Sequence, residues 1–160
     1  MLLLLMICRG QIKMKVRVPD YIASERQTLF HTTVADEKLY GGAAGGGKTA
    51  AIVAESITLA LEYPGIPINL FRRTIPELNK TIKAEIVKQC HAYIKAGHMR
   101  WLSQSDSAHE GRSYVFDNGS SITLNYLDNE ADMYRYQGSE MPIIGVDELT
   151  QFPQAWIEYL

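Results

Sequence analysis

Apolar and polar positions along this chain follow two rhythms, one of period two and one close to 3.6. The alternation over Lys13–Val18 predicts a short strand stopped by Pro19, and Ser24 is placed to cap a helix running to about Thr32. A brief apolar segment ending at Leu39-Tyr40 runs directly into a glycine-rich stretch. From Lys48 to about Leu61 an alanine-rich run predicts a helix, which Tyr63-Pro64-Gly65 stops. Pro67–Phe71 reads as a buried strand with Arg72 and Arg73 at its end. Thr74, with Pro76 and Glu77 behind it, has the pattern of a capped helix start. Leu78, Ile82, Ile86 and Cys90 then share one helical face, and Gly97 closes the segment.

Further on, two alternating runs flank Asp117-Asn118-Gly119-Ser120, a strong hairpin signal that places a β-hairpin insertion near 113–126. A short helix is expected around Asn129–Tyr136. Met141–Val146 reads as a strand ending in Asp147-Glu148, and Pro153 opens a last helix. Strands alternating with helices predict an α/β fold with a largely parallel sheet. In such sheets ligands bind at the carboxyl edge of the strands.

Composition narrows the class. The 160 residues are 46% hydrophobic and 21% charged, enough apolar material for one domain with a core. A net charge of -2 excludes DNA binding through the whole surface and leaves only a local patch. The apolar run Leu2–Ile7 is far short of the ~20 residues that span a bilayer. Its first positive residue, Arg9, follows the run, whereas a signal peptide carries its charge in front. Residues 1–24 are therefore expected to be an N-terminal tail, residues 25–160 the domain, and no membrane is expected as a partner. Cys8 and Cys90 show no disulfide or zinc spacing, and His31, His91, His98 and His109 show no metal spacing. Trp101 and Trp156 read as packing residues.

The glycine-rich stretch carries the chemistry. Gly42-Ala43-Ala44-Gly45-Gly46-Gly47-Lys48-Thr49 fits the pattern Gly-x-x-x-x-Gly-Lys-Ser/Thr between a strand and a helix. Glycines let the backbone wrap tightly and turn several N–H groups inward as an anion nest. The helix beginning near Lys48 adds the positive end of its dipole. Lys48 can reach the β- and γ-phosphates of a nucleotide, and the Thr49 hydroxyl can ligate Mg²⁺. A glycine loop that matches by accident lacks this strand–loop–helix context.

Asp147-Glu148 supplies the other half. In phosphate-loop enzymes an Asp at the end of such a strand holds Mg²⁺, and a following Glu can act as general base on water. Alone, the pair reads more simply as the cap of the next helix; with the loop it acquires a catalytic reading.

The runs LYGGAAGGGKTA, NLFRRTIPELNKTI, YRYQGSE and IIGVDELTQFP, in this order and spacing, resemble the ATPase part of tailed-phage terminase large subunits. The resemblance covers roughly residues 25 to 160. It implies a three-layer P-loop NTPase of the additional-strand, catalytic-glutamate type, with ATP and Mg²⁺ as cofactors. It implies Glu148 and Lys48 as catalytic residues, and Asp147 and Thr49 as magnesium ligands. Gln27 sits where such proteins contact adenine, and reads equally as a surface helix residue. Arg72 or Arg73 would supply a transition-state arginine or a brace, and each reads equally as a plain ion pair. Many terminases carry an arginine inside the loop itself, where this chain has Ala43 and Ala44.

The implied role is a motor that packages double-stranded DNA in the host cell cytoplasm, working as a ring with portal protein and small terminase subunit. The resemblance also places a further strand, beyond residue 160, between the loop strand and the Asp147 strand. Without it a gap is expected at the centre of the sheet, together with the need for a partner segment. No nuclease activity is expected from these residues. The competing readings are another nucleic-acid-dependent P-loop ATPase, helicase- or recombinase-like, and an inactive nucleotide-binding fragment.

Overall fold

A computed structural model describes residues 2–8, 18, 20–43, 45–103 and 112–160. The strand expected over Lys13–Val18 and the loop position Ala44 lie outside the described residues, Val18 excepted.

The fold is α/β, built on one seven-stranded sheet. Its strands in chain order are β1 (Leu2–Cys8), β2 (Glu37–Gly42), β3 (Pro67–Arg72), β4 (Met99–Leu102), β5 (Arg112–Phe116), β6 (Ser121–Tyr126) and β7 (Ile143–Val146). Across the sheet they run β2-β1-β7-β3-β6-β5-β4. β3 pairs in parallel with β6 and β7, while the other four pairings are antiparallel. The sheet is thus mixed, where strand–helix alternation had predicted a largely parallel one.

Two segments cause the difference. The hairpin around Asp117–Gly119 forms as its Asn-Gly signal predicts, but it is no insertion: β6 is a full member of the sheet, hydrogen-bonded to β3 along its length. The second is β1. Residues expected to form a tail form the second strand of the sheet, between the edge strand β2 and β7 and antiparallel to both, with Leu5 opposite Leu39 on one side and Val146 on the other. The expected central gap is closed by this strand, and Met6 on it is fully buried. A run apolar at every position is what a strand covered on both faces requires.

Helix α1 (Glu25–Thr32) starts at a full capping box: Ser24 and Gln27 each bond the other's backbone. Helix α2 (Lys48–Glu62) is buried almost all round, as a helix with alanine and aliphatic residues on every side must be. It packs on the sheet at Gly145, where an added Cβ would meet Leu70 Cδ2 at 2.5 Å and Ile52 Cδ1 at 2.6 Å. Helices α3 (Ile75–Leu78) and α4 (Ala84–Gln89) are joined by a π-helical turn over Asn79–Lys83. At that turn the Thr81 hydroxyl takes the Glu77 carbonyl, at 2.7 Å, in competition with the backbone ladder. Leu78, Ile82, Ile86 and Cys90 stay buried as their spacing predicts. A short α5 (His91–Lys95) leads into β4.

The larger core packs α1, α2 and α4 on one face of the sheet. A smaller one on the other face gathers Phe71, Ile144, Val146 and Phe152 beneath a 3₁₀ turn (Glu130–Tyr136) and α6 (Gln154–Tyr159). Trp156 packs against this second core and Trp101 against the first, where its ring meets Tyr114 at 4.7 Å.

Candidate functional site

The site forms at the edge of the sheet where β2, β7 and β3 end, with the start of the antiparallel β1 between β2 and β7. β2 delivers the chain into the loop, whose turns rest on left-handed glycines at Gly45 (φ 81°) and Gly47 (φ 68°). Gly47 is also the N-cap of α2. An added Cβ there would lie 2.5 Å from the Gln27 amide nitrogen, so a side chain would have to displace the Gln27 amide as well as adopt a left-handed φ.

Side chains anchor the loop from the α1 side. Gln27 Nε2 donates to the Gly47 carbonyl at 2.9 Å, and the Tyr40 hydroxyl donates to the Gly46 carbonyl at 3.2 Å. Gln27 is buried and its other amide atom accepts from the Ser24 N–H at 2.8 Å. It is therefore neither a plain surface residue nor free to turn without releasing the loop. A pocket of about 510 Å³ opens between Ser24, Gln27, Tyr40 and the loop glycines. The larger concavity, about 610 Å³, lies on the polar face of β3, β5 and β6 and shares no residue with the loop.

Lys48 is buried, with Nζ donating to the Ala43 carbonyl at 2.7 Å and the Gly42 carbonyl at 3.3 Å. Its neighbour Thr49 reaches across to the second motif: Oγ1 donates to Asp147 Oδ2 at 2.9 Å, over 98 residues of sequence. The same Asp147 oxygen accepts a short hydrogen bond from Arg72 Nη1. Asp147 is fully buried. Its N–H is tied to the Phe71 carbonyl at 3.1 Å, so β3 and β7 hold it in register.

Glu148 takes a left-handed backbone (φ 59°), alone in this among the described non-glycine residues. Such a conformation costs of order 1–3 kcal/mol and concentrates at functional sites. Glu148 is half-buried and close enough to Asp147, Arg72 and Lys48 to feel their charges. Burial, then the adjacent Asp147 charge, push its carboxyl above the usual range, while Arg72 and Lys48 pull it back.

Four of the six buried side-chain polar atoms that lack a hydrogen-bond partner among the described residues belong to this region: Arg72 Nε, Glu77 Oε2, Asp147 Oδ1 and Glu148 Oε2. Unpaired buried polar atoms are costly, and their concentration marks a site built for something besides its own side chains. The expected magnesium ion fits this donor set: Thr49 and Asp147 offer hard oxygen ligands, one of them an unpartnered buried carboxylate oxygen.

The two arginines part company. Arg72 joins the site, with Asp147 on one side and Glu77 at 3.9 Å on the other. Arg73 turns to the opposite face, donating to the Asp128 carbonyl at 2.8 Å and lying over the Trp156 ring at 4.9 Å. Side chains of adjacent strand-end residues point to opposite faces, which separates them.

The model of the terminase large subunit family, T4-like-virus type, N-terminal part, matches residues 39–158. The chain belongs to this family. No curated protein and no solved structure matches it. The span shared with the terminase family runs from β2 through the loop and both arginines to the acidic pair and α6. Gln27 and β1 lie before it.

Several residues of this terminase site were not singled out in the sequence. Tyr40 anchors the loop, Glu77 faces Arg72, and a buried charged cluster stands behind the loop. In that cluster Glu55 of α2 bonds Lys38 of β2 at 2.8 Å and His31 of α1 at 2.9 Å, and His31 bonds Tyr21 at 3.0 Å. The available signal was Glu55 itself, the one charged residue between the terminal Lys48 and Glu62 of a largely apolar helix. Among the described residues no helix is long and apolar enough to cross a membrane.

Proposed function

We propose that this chain is the ATP-hydrolysing motor part of a phage terminase large subunit, which powers packaging of double-stranded DNA into the capsid in the host cytoplasm. One observation carries the reading: the loop residues Lys48 and Thr49 and the strand-end residues Asp147 and Glu148 converge on one edge of the sheet through the Thr49–Asp147 hydrogen bond. Its membership of the terminase family supports the packaging role, with portal protein, small terminase subunit and a ring of copies as partners.

Each residue then has a task. The loop N–H groups and the start of α2 receive the phosphates of ATP. Lys48 leaves the Gly42 and Ala43 carbonyls for the phosphate oxygens. Thr49 and Asp147 hold magnesium, which when bound neutralises charge on the phosphates. Glu148 orients the attacking water and accepts its proton; its raised pKa brings it nearer the operating pH, as a general base requires. The pocket beside Gln27 and Tyr40 is where the adenosine end would lie.

The test is binding of a fluorescent ATP analogue with Mg²⁺, followed by hydrolysis with and without duplex DNA. Wild type is expected to bind, Lys48→Ala to lose binding, and Glu148→Gln to keep binding while turnover drops by about 10²–10⁴-fold. Equal binding by wild type and Lys48→Ala, or stimulation by single strands in preference to duplex, would overturn the reading.

A further inference from the structure

Asp147 is fully buried, and a buried carboxylate needs a partner. Its partner in this structure is Arg72, itself about nine-tenths buried, which donates to the very oxygen that also receives the Thr49 hydroxyl. A second carboxylate, Glu77, stands 3.9 Å from Arg72 Nε. Among the described residues neither Arg72 Nε nor Glu77 Oε2 has a hydrogen-bond partner. Arg72 thus lies between two carboxylates, bonded to one and spaced from the other. Lys48 does not compete for either, since its ammonium is held by the loop carbonyls.

We infer that Arg72 is the resident counter-ion of Asp147, which a divalent cation displaces onto Glu77. The inference rests on the proposed function and extends it to how the metal position is kept before loading. A guanidinium on Asp147 Oδ2 and a divalent cation on the unpartnered Oδ1 of the same buried carboxylate would lie close together and repel each other strongly. Arg72 neutralises Asp147 and preserves its register with Thr49 until the cation arrives. It then moves the short way to Glu77, closing the unmade Nε–Oε2 contact. Arg72 in this role is a positioning residue, and Glu77 is its second berth.

The experiment is a Mn²⁺ titration of the full chain without nucleotide, read by the loss of the free-ion paramagnetic resonance signal. Wild type, Arg72→Gln, Arg72→Lys, Glu77→Gln and Asp147→Asn are compared, with circular dichroism to verify folding. With the competing cation gone, Arg72→Gln is expected to bind Mn²⁺ more tightly, on the order of tenfold, as coupling between two ligands of one group allows. Arg72→Lys, which keeps the charge, stays near wild type. Glu77→Gln removes the berth and weakens Mn²⁺ binding several-fold. It carries the test if Arg72→Gln fails to fold. Unchanged or weaker binding in a folded Arg72→Gln, unchanged binding in Glu77→Gln, or titrations that all coincide with Asp147→Asn would overturn the inference. Because no nucleotide is present, these outcomes are separate from those of the Lys48 and Glu148 variants that test the ATPase itself.

Discussion

The Thr49 hydroxyl and the Asp147 carboxylate meet at 2.9 Å although they stand 98 positions apart in the sequence. This bond joins the glycine loop to the acidic strand end and makes two sequence motifs one site. Thr49→Ser preserves the hydroxyl and is expected to leave magnesium-dependent nucleotide affinity within a few-fold of wild type. Thr49→Val removes the hydroxyl at constant shape. It is expected to weaken that affinity by about ten- to a hundredfold, matching the ~1.5–3 kcal/mol of a hydrogen bond to a charged group. Calorimetric titration with and without Mg²⁺ distinguishes the two, and equal affinities would sink the assignment.

Gly47 and Gln27 form a second pair. Gly47→Ala forces a Cβ into the left-handed region and against the Gln27 amide. A destabilisation of about 1–2 kcal/mol is expected from the backbone alone, with the clash in addition. Gln27→Ala removes the obstacle but also the latch. In a double-mutant cycle by denaturant unfolding, the double variant should therefore be less destabilised than the sum of the singles. Strict additivity would mean the contact carries no energy.

The buried charges of Lys38 and Glu55 depend on each other, with His31 completing the cluster. Replacing Lys38 by Met leaves Glu55 facing His31 alone. Breaking a buried pair in this way typically costs about 3–5 kcal/mol. A cooperative unfolding curve for Lys38→Met within 1 kcal/mol or so of wild type would contradict the prediction.

Strand β1 joins β2 to the rest of the sheet, so it should be indispensable. Leu5 lies in register with Leu39 and Val146 on its two sides. Leu5→Pro deletes an N–H and clashes within a central strand, at a cost of ~3 kcal/mol or more. The expected outcome is loss of the cooperative thermal transition. Retention of a wild-type melt would show that the sheet holds without it.

Alkali should unfold the protein. Burial raises Cys90 from its usual 9.0 to about 12 and Tyr114 from 10.0 to about 12, and raises Tyr21 further still. These acids ionise more readily in the unfolded chain, which therefore binds fewer protons above pH 9, and the slope of stability with pH is negative there. Stability is expected to be intact below about pH 9 and to fall progressively toward pH 12. Melting temperatures that stay flat between pH 9 and 11 would refute this.

Much of the site was legible in the sequence by itself. The loop pattern, the helix after it and the apolar strand ending in Asp147-Glu148 are local features, each set by residue type and spacing over a few positions. The hairpin turn at Asp117–Gly119 and the buried stripe Leu78, Ile82, Ile86, Cys90 were legible for the same reason. Tertiary structure alone decided which residues meet. Leu2–Cys8 looked like a tail because an unbroken apolar run carries no period. Only pairing with both β2 and β7 gives it a place and a direction. Arg72 and Arg73 are indistinguishable as neighbours in sequence. The opposite faces of a strand end send one to Asp147 and the other to Trp156. Lys38, Glu55 and His31 sit on three separate elements, and their charges make sense only once burial removes water and leaves each as the others' partner.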